Sequence, residues 1–217
     1  SLGALPASEF RAPWPRPTPS PRSSWQTLAG YQTASDVGSH SMIDLDMAEL
    51  ETAVGEYATS TVWISDALFI YDVGGNGGNG NSVKGSGAIR TIKGFATKDY
   101  SVFTGNYAEQ LPPIYTAYWA ANGLPQAETW ADTFITKDYS AIVKDVGWAE
   151  LIQKGANYQA VWMYVIHELE DAIGDCFAGD ITANDDSVHA WDEAWAFYAG
   201  SMVGTMTANA VMDDGTL

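Results

Sequence analysis

The sequence predicts a mainly α protein: a single-domain helical bundle with long irregular loops, built around a central antiparallel helical hairpin. Three observations lead there. Apolar residues recur three and four apart in several separate stretches, the spacing that gathers side chains on one face of a helix. No long stretch shows the apolar–polar alternation of a half-buried strand. The chain is also 46% hydrophobic, with nine Trp and eleven Tyr in 217 residues, which is ample material for a buried core.

Taken in order, residues 1–24 hold most of the prolines and no helical or strand period. Such a segment favours extended, unpacked backbone, so it is read as a tail or linker, and residues 25–217 as the helical domain. A helix is expected over residues 41–58, where Ile43, Met47, Leu50, Val54 and Tyr57 form one apolar stripe. Glu49 and Glu56 share a different face of it, which is by default a solvated acidic face. The apolar run after Thr59 fits a short helix or a strand, and periodicity does not decide between them.

That run leads into Gly75-Asn-Gly-Gly-Asn-Gly80, a formal match to the GxGxxG dinucleotide fingerprint. The fingerprint works only when a helix begins within the glycines and turns its N–H groups on a pyrophosphate. Here the glycines run into NSVKGSG, poor helix material, and Lys84 completes no Walker pattern. A flexible loop is expected. Further on, Pro112 and Pro113 break or start a helix within residues 107–122, and short helices are expected over 127–135 and 148–152.

The hairpin occupies residues 158–204. In its first helix Trp162, Val165, Ile166, Leu169 and Ile173 form an apolar stripe, with Tyr164, His167 and Asp171 on another face flanked by Glu168 and Glu170. In the second, Trp191, Trp195, Tyr198 and Met202 form an aromatic stripe opposite His189, Asp192, Glu193, Ala196 and Gly200. The intervening GDCFAGDITAND reads as a turn, with Asn184, Asp185 or Asp186 as N-cap. At roughly 1.5 Å of rise per residue, antiparallel packing brings the two acid–histidine clusters to nearly the same height.

Charge narrows the function classes. Ten Lys and Arg stand against twenty-seven Asp and Glu, a net charge of −17. Such a surface repels phosphate backbones and anionic lipid, so nucleic-acid binding is excluded and cations are concentrated instead. No apolar run is long enough to insert into a membrane. Cys176 is the single cysteine, so no disulfide forms within the chain. Imidazole with carboxylate suits iron, manganese or zinc. The order His167-x-x-Glu170 reverses the Glu-x-x-His of ferritin-like sites, and Asp171 stands where the zinc-protease HExxH needs its second histidine. The plain alternative is that each histidine bonds a nearby acid and ties the hairpin together.

The run YQAVWMYVIHELEDAIGDC followed by VHAWDEAWAFYAGS resembles the low-iron-inducible periplasmic proteins of algae, the Fea1 family. The resemblance extends more weakly over about residues 41–204, including KGSGAIRTIKGFA. It implies a secreted or periplasmic protein, present here as one domain copy, that assists iron assimilation by binding ferric or ferrous iron, with another divalent metal left open. On that resemblance His167, Glu170 and Asp171 pair with His189, Asp192 and Glu193 as the metal set, with Glu49 added from the first helix. The implied partners are iron ions and a membrane iron transporter or reductase. Two alternatives stay open: a metal-dependent oxidase or hydrolase at the same site, and a structural module of the cell surface without metal.

Overall fold

The computed structural model describes residues 27–98, 130–136, 145–181 and 186–202. The helix expected within 107–122, the tail at 1–24 and the capping candidates Asn184 and Asp185 lie outside these residues.

Helices dominate. A two-residue antiparallel hairpin, β1 (Thr27–Leu28) and β2 (Tyr31–Gln32), precedes α1 (Gly38–Ser41) and α2 (Ile43–Gly55). Then come α3 (Trp63–Val73), α4 (Ile92–Ala96), α5 (Trp130–Ile135), α6 (Val146–Lys154), α7 (Trp162–Ala178) and α8 (Ser187–Ala199). A π-helical stretch, Gly155–Val161, joins α6 to α7 without a break.

The stripe predicted on α2 is the one that packs: Ile43, Leu50 and Val54 are buried, with Met47 and Tyr57 partly so. The ambiguous run is a helix, α3, because Trp63, Ala67 and Tyr71 recur four apart and are all buried, and the helix packs against α2 and α4. The Tyr71 hydroxyl donates to Asp132 Oδ1 at 2.8 Å, so the phenol's polar end is satisfied inside the core. At Gly155 an added Cβ would stand 3.0 Å from Ile135 Cγ1. The missing side chain is what lets α5 seat on the rod at its π-helical joint.

The hairpin is antiparallel. Trp162, opening α7, meets Tyr198 near the end of α8 edge-on at 5.6 Å, while Cys176 shares a groove with Val188 and Trp191 at the other end. Its first helix runs further than expected: residues 174–178 are helical, and the chain turns only at Gly179, in the left-handed region at φ 89°. Asp186 takes the N-cap position of α8.

The faces of the hairpin are the larger surprise. Val165 is buried as predicted, but Trp162, Ile173, Trp191 and Tyr198 are 44%, 41%, 47% and 57% exposed. The buried positions are instead His167, Glu168 and Ala172 on α7, and Ala190, Asp192 and Ala196 on α8. The polar face turns inward because elements far away in sequence supply its partners. The displaced aromatic rings cover one another outside, Trp195 lying 5.8 Å from Tyr198. The small residues foreseen on α8 do allow a close approach: a Cβ at Gly200 would meet Asp44 Oδ2 at 2.7 Å.

Candidate metal centre

Glu193 is the focus of the inward face. His189 lies one turn before it on α8, the i,i+4 spacing that brings two side chains together, and its Nε2 stands 3.0 Å from Glu193 Oε1. His40 reaches the same oxygen at 2.8 Å from α1. The two imidazole planes are nearly perpendicular, with centroids 6.5 Å apart. Nδ1 of each ring is buried with no hydrogen-bond partner among the described residues. Both rings therefore make their polar contacts through Nε2, and the two Nε2 atoms meet on one carboxylate.

His40 is placed there by Asp192. This fully buried carboxylate accepts from Tyr31 Oη at 2.8 Å, from the Ala34 N–H at 2.7 Å and from the Ser35 N–H at 2.6 Å. Trp195 adds an indole N–H bond to the Leu28 carbonyl at 2.9 Å. Together they fasten the β-hairpin and its exit to α8, and α1 follows directly. Burial and then the Asp192 hydrogen bond push the Tyr31 phenol up to about 12.

From a third side comes Arg90. Its Nη2 contacts His40 Nε2, and its Nη1–H donates to Ser39 Oγ at 3.2 Å. From α7 come His167 and Glu168, both buried. Burial, helped by the charge of Lys98, lowers His167 to about 4, against an opposing pull from Glu193. Burial, reinforced by the negative charge of Glu193, raises Glu168 to about 8, which Tyr164 and Lys98 only partly offset. Glu193 responds the other way. Burial raises it, but the His40 hydrogen bond and the charges of His40, His189 and Arg90 outweigh that, and its carboxyl lies below the usual range. All three histidines of the chain thus interact with one glutamate.

The residues singled out from sequence are sorted by this geometry. His189 and Glu193 touch, and His167 faces them. Asp192, on the same helix, has its oxygens taken by the three donors already named. Asp171 stands by Glu168 in a row of acids with Asp175. Glu170 is partly buried, and burial alone raises its carboxyl. Glu49 is elsewhere: it accepts from the Asn76 N–H at 2.8 Å and from Asn81 Nδ2 at 2.8 Å. Asp46 joins it, accepting from the Asn81 N–H at 3.0 Å. The glycine-rich loop, expected to be flexible, is held by these two carboxylates, with Asn76 and Gly77 in the left-handed region. Among the described residues, no three His, Cys, Asp or Glu side chains are arranged as they stand to hold a metal ion.

The sequence matches the family model of the low iron-inducible periplasmic protein, Fea1, over residues 22–213, nearly the whole chain. It belongs to the Fea1 family. No curated protein and no solved structure matches. Membership places this Fea1 protein in the periplasm and ties it to iron limitation, and among the described residues no helix is long and apolar enough to cross a membrane.

Three residues of this cluster carry little or no signal in the sequence. His40 is the remaining histidine of the three, and that count was its only signal. Glu168 reads in the sequence as a flank of His167, yet it is among the most deeply buried acids of the described residues. Arg90 gave no local signal: it is one of ten basic residues and lies fifty positions from His40.

Proposed function

We propose that this protein binds iron in the periplasm through Glu193, His40 and His189, with Glu168 and His167 completing the surroundings. The observation that carries this reading is the convergence of two Nε2 atoms, from separate helices, on Glu193 Oε1. Neutral imidazole and carboxylate are the donors that iron takes well, and the absence of thiolate from the cluster argues against soft ions. Two imidazoles binding one ion through nitrogens about 2.1 Å away, at ordinary coordination angles, have centroids roughly 5 Å apart. The rings, now 6.5 Å apart, therefore close on the ion as it enters. As an uptake protein it would pass the iron on to a membrane transporter or reductase.

Equilibrium dialysis against iron tests this. The wild type is expected to retain iron that a His40→Ala/His189→Ala double variant loses, with Glu193→Gln as weak as the double variant. Equal weak binding by all three would end the metal reading. Release of ferric product from ferrous iron in air, with turnover, would instead favour an oxidase.

A further inference from the structure

Arg90 occupies the edge of His40 that an ion would use. An imidazole nitrogen carries either a proton or a lone pair, never both. Facing Glu193 Oε1 at 2.8 Å, His40 Nε2 must donate; facing the guanidinium of Arg90, which has only donors, it must accept. The two contacts cannot both be satisfied by one protonation state. A metal ion resolves the conflict, because it takes the lone pair of His40 and the charge of Glu193 at the same time. The guanidinium cannot stay beside it, since a unit positive charge next to a divalent ion in a half-buried site is strongly repelled.

We propose that Arg90 is a resident counter-cation of the empty site, displaced by the incoming ion, and that it sets the charge an ion must carry to bind. This rests on the metal reading above, and adds to it a residue that opposes binding. Arg90 neutralises Glu193 while no ion is present. A monovalent ion brings no more charge than the guanidinium it would replace, whereas divalent or trivalent iron does. The side chain has somewhere to go: a cavity of about 400 Å³, bordered by Lys84, Thr91, Gly94 and Tyr164, opens beside His40 and Glu193. Its backbone need not move. The Arg90 N–H is held by the Ser82 carbonyl at 2.8 Å, next to the Val83–Ile89 bridge. Release exchanges the Ser39 and His40 contacts for solvent and gives up the attraction to Glu193, which the incoming ion takes over.

The test is anaerobic calorimetric titration of ferrous iron into the wild type, Arg90→Gln and Arg90→Lys. Arg90→Gln is expected to bind about tenfold more tightly, because a competing charge is gone, and Arg90→Lys to stay near wild type. Weaker or unchanged binding by a folded Arg90→Gln, with near-ultraviolet circular dichroism as in the wild type, overturns the proposal and leaves the metal reading standing. Iron binding by none of the three forms overturns both. In the wild type itself, zinc serves as a diamagnetic probe: the Arg90 Nε–H resonance should shift and exchange faster with solvent when zinc is added. A resonance that does not move while zinc binds overturns the proposal without any variant.

Discussion

Asp192 and Glu193 are neighbours on one helix, and replacing each by its amide should give opposite results. Asp192 holds one phenol and two backbone N–H groups at 2.6–2.8 Å, while fully buried. Hydrogen bonds to a charged acceptor contribute about 1.5–3 kcal/mol each, against about 1 kcal/mol for neutral ones. In Asp192→Asn the remaining oxygen can keep the two amides, and the new NH2 meets Tyr31, whose hydroxyl must then accept. The expected loss is about 1 kcal/mol per bond, or about 3 kcal/mol in all. With a urea dependence near 2 kcal/mol per molar, the unfolding midpoint falls by about 1.5 M. Tryptophan fluorescence in urea measures this, and dialysis measures iron. Asp192→Asn should keep its iron affinity within a few-fold under native conditions, whereas Glu193→Gln should lose iron and keep most of its stability. A midpoint for Asp192→Asn within about 0.3 M of wild type, or loss of iron comparable to Glu193→Gln, would refute the division of roles.

Three further outcomes follow from the geometry. Glu168, raised from 4.5 to about 8, keeps in the folded state a proton that the unfolded chain releases, so stability falls as pH rises through that window. His167, lowered from 6.5 to about 4, refuses a proton that the unfolded chain takes, so stability falls as pH drops from 6.5 to 4. The two oppose each other between 4.5 and 6.5; above 6.5 Glu168 acts alone, removing about 2 kcal/mol by pH 8, and Glu168→Gln should be flat there in urea titrations. Glu49→Gln should leave iron binding unchanged and lose about 1 kcal/mol of stability, with faster amide hydrogen exchange at Asn76; a loss of iron would return Glu49 to the ligand set. Gly80→Ala forces a Cβ to 2.2 Å from Ile89 Cγ2 at a φ of 66°, and should lower thermal stability by about 2 kcal/mol in calorimetry.

The sequence shows what is local. The α2 stripe, the N-cap at Asp186 and the pairing of His189 with Glu193 all depend on residues within a few turns of each other, where helical spacing alone sets the geometry. The Fea1 signature lies in the same hairpin. What was not legible depends on long closures. His40 meets Glu193 across 153 positions in the chain, and Asp192 meets Tyr31 across 161. The inward turn of the polar face follows from those contacts. Amphipathicity assumes that polar side chains look for water; here α1 and the exit of the β-hairpin supply donors in its place. The same lack explains Glu49, whose glycine-rich partner begins twenty-six residues later and bears no mark of an acid receptor.

Burying a carboxylate is unfavourable unless donors replace its water, and the buried acids here differ in the donors they receive. Asp192 is met by amides and a phenol, and Asp46 by the amides of the glycine-rich loop. A backbone N–H has nothing to offer once the acid is gone, and it cannot rearrange into a ligand. Those acids are fasteners. Glu193 is met by two imidazoles and, at one remove, by a guanidinium. An imidazole that gives up its proton presents a lone pair along the same direction, and a guanidinium on a long side chain can leave. The partners of Glu193 are therefore the ones that can be exchanged for a cation without dismantling the fold. Reversible binding of a cation needs that property, and the chemistry of the partners, more than the number of acids, picks out Glu193 from the described carboxylates of this chain.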